Sequence, residues 1–337
     1  MRRRDFIGLL CGAAGAWTCP EVFAAQKSPI ARIGLLSVAP LPIECCAIPK
    51  CNNYGNPNCR ISDDLNALGW RVGENLQIAA RSSNGDLASL PRLAAELVAL
   101  RPDVLIAVGS TEAKALQAAT SDIPIFFQVS SDPVGYGLVD SIAHPGKNIT
   151  GIAVAPQILW GKRLELLVEL LGHRPAKIAW LGNPEDVSAK LNLAALVQSA
   201  ETLGIEVERW EMRKADDLDR VFAAAAGSEA VLVQWLGLTS VLRWKIAELA
   251  AQHLLPSVYE TSDYVVAGGL MSYGLDYREN LRWGMTYVDR ILRGAQPKDL
   301  PVEQASKFEL VINLKTAKAM GVTVPEALLF RADKVIE

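Results

Sequence analysis

Two features are missing from this 337-residue sequence: a long apolar run and a basic cluster beyond the first four residues. Apolar stretches such as 104–108 have the length of strands, well short of the ~20 residues that a membrane-spanning helix requires. Lysine and arginine total 34 against 37 aspartate and glutamate residues, which gives a net charge of −3. The sequence therefore predicts neither a transmembrane helix nor a nucleic-acid partner.

Signatures of catalysis are missing as well. The chain contains no G-x-S-x-G, H-E-x-x-H or G-x-x-x-x-G-K-[ST] motif, and 135–137 (GYG) lacks the third glycine of a dinucleotide fingerprint. His144, His173 and His253 fall in a turn, at a predicted helix end and in the last turn of a helix, which favours surface or capping roles. We expect no enzyme activity, no catalytic residue and no cofactor.

The first 25 residues have the pattern of an export signal. Three arginines at 2–4 precede a weakly apolar run, and small residues fit a cleavage site near Ala24 or Ala25. Arginines followed by Phe6 and Ile7 resemble the twin-arginine signal of proteins exported in folded form, and an ordinary secretory peptide is the alternative. We expect a periplasmic protein.

From residue 29 onward, short apolar runs alternate with amphipathic stretches, as in parallel sheets with crossover helices. A first array has predicted strands at 32–38, 76–81, 103–108 and 124–129 and helices at 62–68, 87–100 and 111–118. A second has helices at 157–171, 187–203, 217–226 and 240–253 and strands at 177–181, 206–211, 230–235 and 257–259. The fold class is therefore α/β, with two doubly wound lobes facing each other across a cleft.

Polar residues follow the predicted strands, where open parallel sheets bind ligands. The candidate ligand-binding residues are Ser37, Ser110, Thr111, Ser131, Asp132, Asn183, Gln234, Trp235, Glu260 and Tyr273. Ser110 and Thr111 begin a helix, where free N–H groups bind a carboxylate, although both residue types are also common caps. Asp132 is suited to capping the next helix or to binding an ammonium group. Trp235 and Tyr273 are suited to lining an apolar wall or to packing in a core.

An ordered series of motifs carries a family resemblance. It comprises PIFFQVSSDPVG at 124–135, HPGKNITG at 144–151, GGLMSYG at 268–274, LPVEQ at 300–304 and KFELVINLKTAK at 307–318. With these motifs the chain resembles the ABC transporter substrate-binding proteins related to tryptophan and tyrosine receptors. The resemblance extends from the arginine-rich start to Glu337.

The resemblance implies the type I periplasmic binding protein fold, two Rossmann-like lobes joined by a three-segment hinge. The hinge segments would be 148–152, 273–275 and 301–304. An N-terminal lobe would comprise 29–148 plus about 275–300, and a C-terminal lobe 149–274 plus about 301–337.

The implied function is capture of a small molecule for an ABC permease in the membrane. By analogy, the ligand would be an amino acid, with aromatic amino acids included, or a related small carboxylate. Its carboxylate would lie at Ser110 and Thr111, its ammonium group at Asp132 or Glu260, and its side chain near Trp235 and Tyr273. A ligand sensor that signals to a membrane receptor is the alternative, because sequence does not separate import from sensing.

The segment 41–60 departs from the family pattern, because relatives usually carry a short loop there. It contains Cys45, Cys46, Cys51 and Cys59 among proline, asparagine and glycine residues. In an oxidising compartment two disulfides are favoured, with Cys45 and Cys46 pairing with Cys51 and Cys59 in either order. Binding of a metal by four thiolates is the alternative. Because the segment follows the first strand, we expect it to form a lid at the cleft mouth.

Overall fold

A computed structural model describes residues 30–39, 61–224 and 227–337. The predicted export signal and the four cysteines of segment 41–60 lie outside these ranges, so both remain predictions. No helix in the described ranges has the length and apolar character needed to cross a bilayer.

The elements of the N-terminal half alternate as predicted, from β1 to β5. They are β1 (Ala31–Ser37), α1 (Ile61–Ala67), β2 (Leu76–Ser82), a 3₁₀ turn (Leu87–Ser89), α2 (Leu90–Ala99), β3 (Val104–Ala107), α3 (Ser110–Ala119), β4 (Ile125–Ser130) and β5 (Ile149–Ala153).

The rest of the chain continues the alternation and ends in short elements. They are α4 (Pro156–Leu171), β6 (Lys177–Gly182), α5 (Ala189–Leu203), β7 (Glu206–Glu211), α6 (Asp217–Ala223), β8 (Val231–Val233), α7 (Gly237–Val241), α8 (Arg243–Gln252), β9 (Ser257–Tyr259), α9 (Ser262–Val266), β10 (Met271–Leu275), α10 (Tyr277–Leu292), a 3₁₀ turn (Pro297–Asp299), β11 (Glu303–Gln304), β12 (Phe308–Asn313), α11 (Leu314–Ala319), α12 (Glu326–Arg331) and β13 (Lys334–Ile336).

The first lobe is built on a six-stranded sheet in the order β11-β5-β4-β3-β1-β2, and all its paired strands are parallel. Its two faces carry separate apolar cores. One includes Ile106 and Phe126 packed against Met285 and Val288 of α10, and the other includes Leu97 and Leu116 of α2 and α3. A sheet covered on both faces explains why its central strands are apolar throughout.

The second lobe contains a seven-stranded sheet in the order β13-β12-β10-β9-β8-β6-β7. The pairing of β10 with β12 is antiparallel, and the other pairings are parallel. Helices α4 and α5 cover one face of this sheet and α8 contributes to the other. The architecture is thus the predicted α/β fold with two lobes.

The chain crosses between the lobes three times, at connections slightly later than the sequence indicated. β5 pairs with β4, and β11 pairs with β5, so both strands belong to the first sheet. The segments 149–153 and 303–304 were expected in the C-terminal lobe. The connections therefore follow them, at 154–155, at Asp276 and at 305–307.

Several predicted helix boundaries have a visible cause in the backbone. α4 and α5 end at Gly172 and Gly204, whose φ angles of 70° and 65° are the left-handed values that glycine tolerates best. The predicted helix 240–253 is instead two helices, α7 and α8, which meet at Leu242.

Candidate functional site

A cleft lies between the two lobes, at the carboxyl ends of strands from both sheets. It encloses about 640 Å³ of empty space, part of it open to solvent. The loops after β1, β3, β4 and β5 face those after β6, β8 and β9, which is where open α/β sheets bind ligands. The described residues lining it are Ala39, Val108, Gly109, Ser110, Glu112, Val129, Ser131, Val154, Asp186, Ser188, Asn192, Trp235, Leu236, Gly237, Ser240 and Glu260.

Four of the ten predicted ligand-binding residues line this cleft: Ser110, Ser131, Trp235 and Glu260. The Ser110 hydroxyl donates a hydrogen bond to Ser130 Oγ at 3.0 Å, and Ser131 Oγ lies 2.9 Å from the Tyr136 hydroxyl. The structure therefore brings Ser110 and Ser131, from two loops of the first lobe, together with Trp235 and Glu260 of the second lobe.

The other six have structural partners near the cleft or lie deeper. Asp132 accepts a hydrogen bond from Gly135 N at 2.8 Å, so its carboxylate stabilises the turn after β4. Asn183 accepts one from Glu185 N at 3.0 Å, and Gln234 donates one to Ser188 Oγ at 3.3 Å. The Tyr273 ring packs on Phe308. The Thr111 hydroxyl forms a hydrogen bond with Asp186 of the other lobe. Ser37 is fully buried at the end of β1.

Glu260 and Trp235 form one wall of the cleft. Oε1 of Glu260 accepts a hydrogen bond from Trp235 N at 2.9 Å, which fixes the carboxylate beside the start of the indole-bearing loop. The Trp235 ring packs against Tyr277 with 5.7 Å between ring centroids. Burial raises the pKa of the Glu260 carboxyl, while Arg163 and the Trp235 N–H oppose that shift. This wall of the cleft thus contains both a carboxylate and an aromatic residue.

Glu112 lies on the opposite wall, in the first turn of α3. The carboxylate accepts a hydrogen bond from Val38 N at 2.8 Å and is buried. Burial raises its pKa to about 7, helped by the nearby charge of Asp186 and opposed by backbone N–H donors. Glu112 therefore joins the end of β1 to the start of α3.

The lobes also touch directly beside the cleft. The Thr111 hydroxyl of the first lobe donates a hydrogen bond to Asp186 Oδ2 of the second at 2.9 Å. Gly237 lies so close to Val38 that an added Cβ would be 2.1 Å from Val38 Cγ1. The lobes are therefore close together along this edge.

Glu112, Asp186, Ser188, Asn192 and Ser240 line the cleft but were not predicted from the sequence. A local signal existed for two of them. Glu112 follows directly after the predicted pair Ser110 and Thr111, and Asp186 extends a polar loop after β6 by one residue. Ser188, Asn192 and Ser240 sit at or inside helices, where serine and asparagine carry no distinctive signal.

The chemistry of the cleft is acidic and partly apolar. Its acidic lining side chains are Glu112, Asp186 and Glu260, and no lysine, arginine or histidine occurs among the described lining residues. Three valines, Leu236 and Trp235 supply apolar surface. At the start of α3 the backbone N–H groups have no partners within the helix, and those of Gly109 and Glu112 are directed at the Glu112 carboxyl. No cluster of metal-binding side chains occurs in the described parts of the chain.

This fold and cleft define a type I periplasmic binding protein. The family described as ABC transporter substrate-binding protein matches residues 59–336. The chain belongs to that family, whose members are solute-binding proteins.

Individual relatives support this family assignment. The tyrosine-binding protein of Clostridioides difficile is 27% identical over 258 residues, covering 76% of this chain and 74% of that protein. The structure of a conserved domain protein from Vibrio cholerae is 28% identical and superposes with a TM-score of 0.81 over 90% of this chain and 99% of that one. The fold is also shared with an ABC domain from Streptococcus pneumonia in complex with L-Trp, at 24% identity and a TM-score of 0.79 over 91% and 100% of the two chains.

Proposed function

We propose that the protein is an extracytoplasmic receptor that captures an aromatic amino acid in its cleft and delivers it to an ABC importer. The observation that carries the proposal is that Glu260 and Trp235, joined through the Trp235 backbone N–H, both line one wall of the cleft. A cleft lined by a carboxylate and an indole fits a ligand with an ammonium group and an aromatic side chain. The tyrosine- and tryptophan-binding relatives support the same class of ligand.

The charge of the cleft narrows the ligand class further. Asp186 and Glu260, together with Glu112 when it is ionised, favour a ligand with an ammonium group and oppose a simple carboxylate, which would find no basic side chain among the described lining residues. The ligand carboxylate would instead bind the backbone N–H groups of Ser110 and Thr111, the first two residues of α3. We therefore propose an amino acid rather than a small organic acid.

Calorimetry with matched ligands tests this assignment. L-tryptophan and L-tyrosine are expected to bind, and indole-3-propionate, which lacks the ammonium group, is not. The E260Q variant should lose about 1.5 to 3 kcal/mol of binding free energy, as expected for a hydrogen bond to a charged group. E165Q is the matched control, because Glu165 is exposed and paired with Lys162 on the surface. Equal affinity for L-tryptophan and indole-3-propionate would contradict the proposal.

Delivery to an importer is tested separately, by uptake of labelled amino acid at low external concentration in cells with and without the gene. Loss of uptake on deletion is the expected result. Unchanged uptake together with a lost transcriptional or chemotactic response would favour a sensor instead.

A further inference from the structure

Arg163 lies directly behind the cleft wall, on α4. Its side chain is 1% exposed and does not reach the described lining of the cleft. It nevertheless contacts one lining residue, Glu260, directly and is connected to a second, Asn192, through Trp160. Its guanidinium lies 4.5 Å from the ring centroid of Trp160, whose Nε1 donates a hydrogen bond to Asn192 at 3.0 Å. On its other side it pairs with Glu260.

The contacts of Arg163 link the cleft to two of the interlobe crossings. Nε donates a hydrogen bond to the carbonyl of Tyr273 in β10 at 2.7 Å, and Nη2 lies 3.3 Å from Glu260 Oε2. α4 begins just after the first crossing, and β10 ends just before the second. The backbone is close-packed here, because a Cβ on Gly274 would lie 1.7 Å from the Glu260 carbonyl oxygen. One guanidinium thus fixes the relative positions of α4, β10 and the Glu260 side chain.

Because Glu260 is buried, its carboxylate needs the positive charge of Arg163. A buried carboxylate is stable as an anion only with a counter-charge or several hydrogen-bond donors. Glu260 receives one backbone N–H, from Trp235, and one ion pair, from Arg163. Nη1 of Arg163 is buried and has no hydrogen-bond partner among the described residues, so the guanidinium is only partly compensated by its neighbours. The ion pair is therefore the main support for a charge on Glu260.

We propose that Arg163 is a positioning residue for ligand capture: it keeps Glu260 ionised and directed into the cleft, ready for the ammonium group of the ligand. The identity of the ligand rests on the proposed function. The ionisation and direction of the Glu260 carboxylate rest only on the contacts of Arg163. Arg163 acts through Glu260 and does not touch the ligand.

The first experiment needs no ligand. Glutamate carboxyl carbons are followed by ¹³C NMR during a pH titration of the wild type and of R163M, with Glu260 assigned from the missing signal of E260Q. The Glu260 midpoint should rise by about 1 to 3 pH units in R163M, because a neighbouring opposite charge is removed. A midpoint that stays in place would overturn the proposal.

The second experiment is a double-mutant cycle read by calorimetry with L-tryptophan at pH 6 to 8.5. R163M should weaken binding about 10- to 100-fold at pH 7, and the loss should shrink as pH rises and Glu260 ionises. R163K, which keeps the charge, should retain most of the affinity. In the E260Q background, adding R163M should cause little further loss. An equal loss in both backgrounds, or a loss independent of pH, would show a purely structural role and contradict the proposal.

The two experiments separate the possible failures. If the wild type binds neither L-tryptophan nor L-tyrosine, the proposed ligand class is wrong, and the NMR titration still decides whether Arg163 sets the charge of Glu260. If R163M does not fold, the titration uses R163Q, which also removes the charge but keeps hydrogen-bond donors, and the same rise of the Glu260 midpoint is expected. The double variant R163M/E260Q, which buries no unpaired charge, then supplies the binding comparison.

Discussion

At the scale of single residues, the buried carboxyl of Glu112 makes the stability of the first lobe depend on pH. Its pKa is raised to about 7 in the folded protein, mainly by burial, whereas an exposed glutamate has a pKa of about 4.3. The folded state therefore holds this proton more tightly than the unfolded state does. The stabilisation is complete below pH 4 and is lost as pH rises through 7.

The E112Q variant tests this. Glutamine keeps an acceptor for Val38 N but does not titrate, so the wild type and E112Q should have similar unfolding free energies at pH 4.5. At pH 8.5 the wild type should be less stable than E112Q by roughly 3 kcal/mol, the value that a shift of this size implies. Urea denaturation at both pH values measures the difference. The same difference in unfolding free energy between the wild type and E112Q at both pH values would contradict the prediction.

The residues of the site were only partly predictable from sequence. Ser110, Ser131, Trp235 and Glu260 follow strands, and topology alone places such positions near a cleft. Whether a given side chain reaches it depends on local partners that sequence does not display. Asp132 turns back to Gly135 N, and Arg163, in the middle of an amphipathic helix, has the sequence context of an ordinary surface arginine.

At the scale of elements, α10 depends on its N-cap. Asp276 accepts hydrogen bonds from Arg278 N and Glu279 N at 3.1 and 3.2 Å, at the point where the chain returns to the first lobe. This helix packs on β3, β4 and β5 and carries much of one apolar core. The cap therefore supports both a helix end and a crossing.

The D276A variant should lower the unfolding free energy by about 1 kcal/mol, with a range of about 0.5 to 2. D216A is the matched control, because Asp216 precedes α6 without making a side-chain cap hydrogen bond. Urea denaturation should show a loss for D276A and little change for D216A. Equal losses would mean that the cap contributes nothing specific.

Elements with strong periodicity were predicted well, and those defined by tertiary contacts were not. The two helices α4 and α5 end at glycines that the sequence marks plainly. β11 has two residues, Glu303 and Gln304, both exposed, and is a strand only because it pairs with β5. Its place in the first sheet, and hence the last crossing, is set by that pairing rather than by any local propensity.

At the scale of the whole molecule, the contact between Val38 and Gly237 controls how closely the lobes approach. Gly237 does not have a positive φ angle, so alanine is acceptable to its backbone. The added methyl group would nevertheless overlap with Val38 in the arrangement described here. The substitution therefore acts on closure and not on either lobe.

G237A should weaken ligand binding by about 1 to 3 kcal/mol, or roughly 5- to 150-fold, the usual cost of overpacking a close contact. Its unfolding free energy should stay near that of the wild type. G161A is the matched control, since a Cβ there meets only Ser199 Oγ at 3.7 Å. Calorimetry with L-tryptophan, together with small-angle scattering of the ligand-bound forms, measures both effects. Wild-type affinity in G237A would show that the lobes need not come this close.

The three crossings between the lobes also determine how late in synthesis each lobe can complete its apolar core. A ribosome completes β1 to β5 early, yet the face of β3 and β4 that carries Ile106 and Phe126 stays uncovered until α10 has been synthesised. The second sheet likewise waits for β12 and β13, which are synthesised after α10. A nascent chain that stops before α10 therefore exposes apolar surface in both halves, and its protection from aggregation has to last until these three elements have emerged.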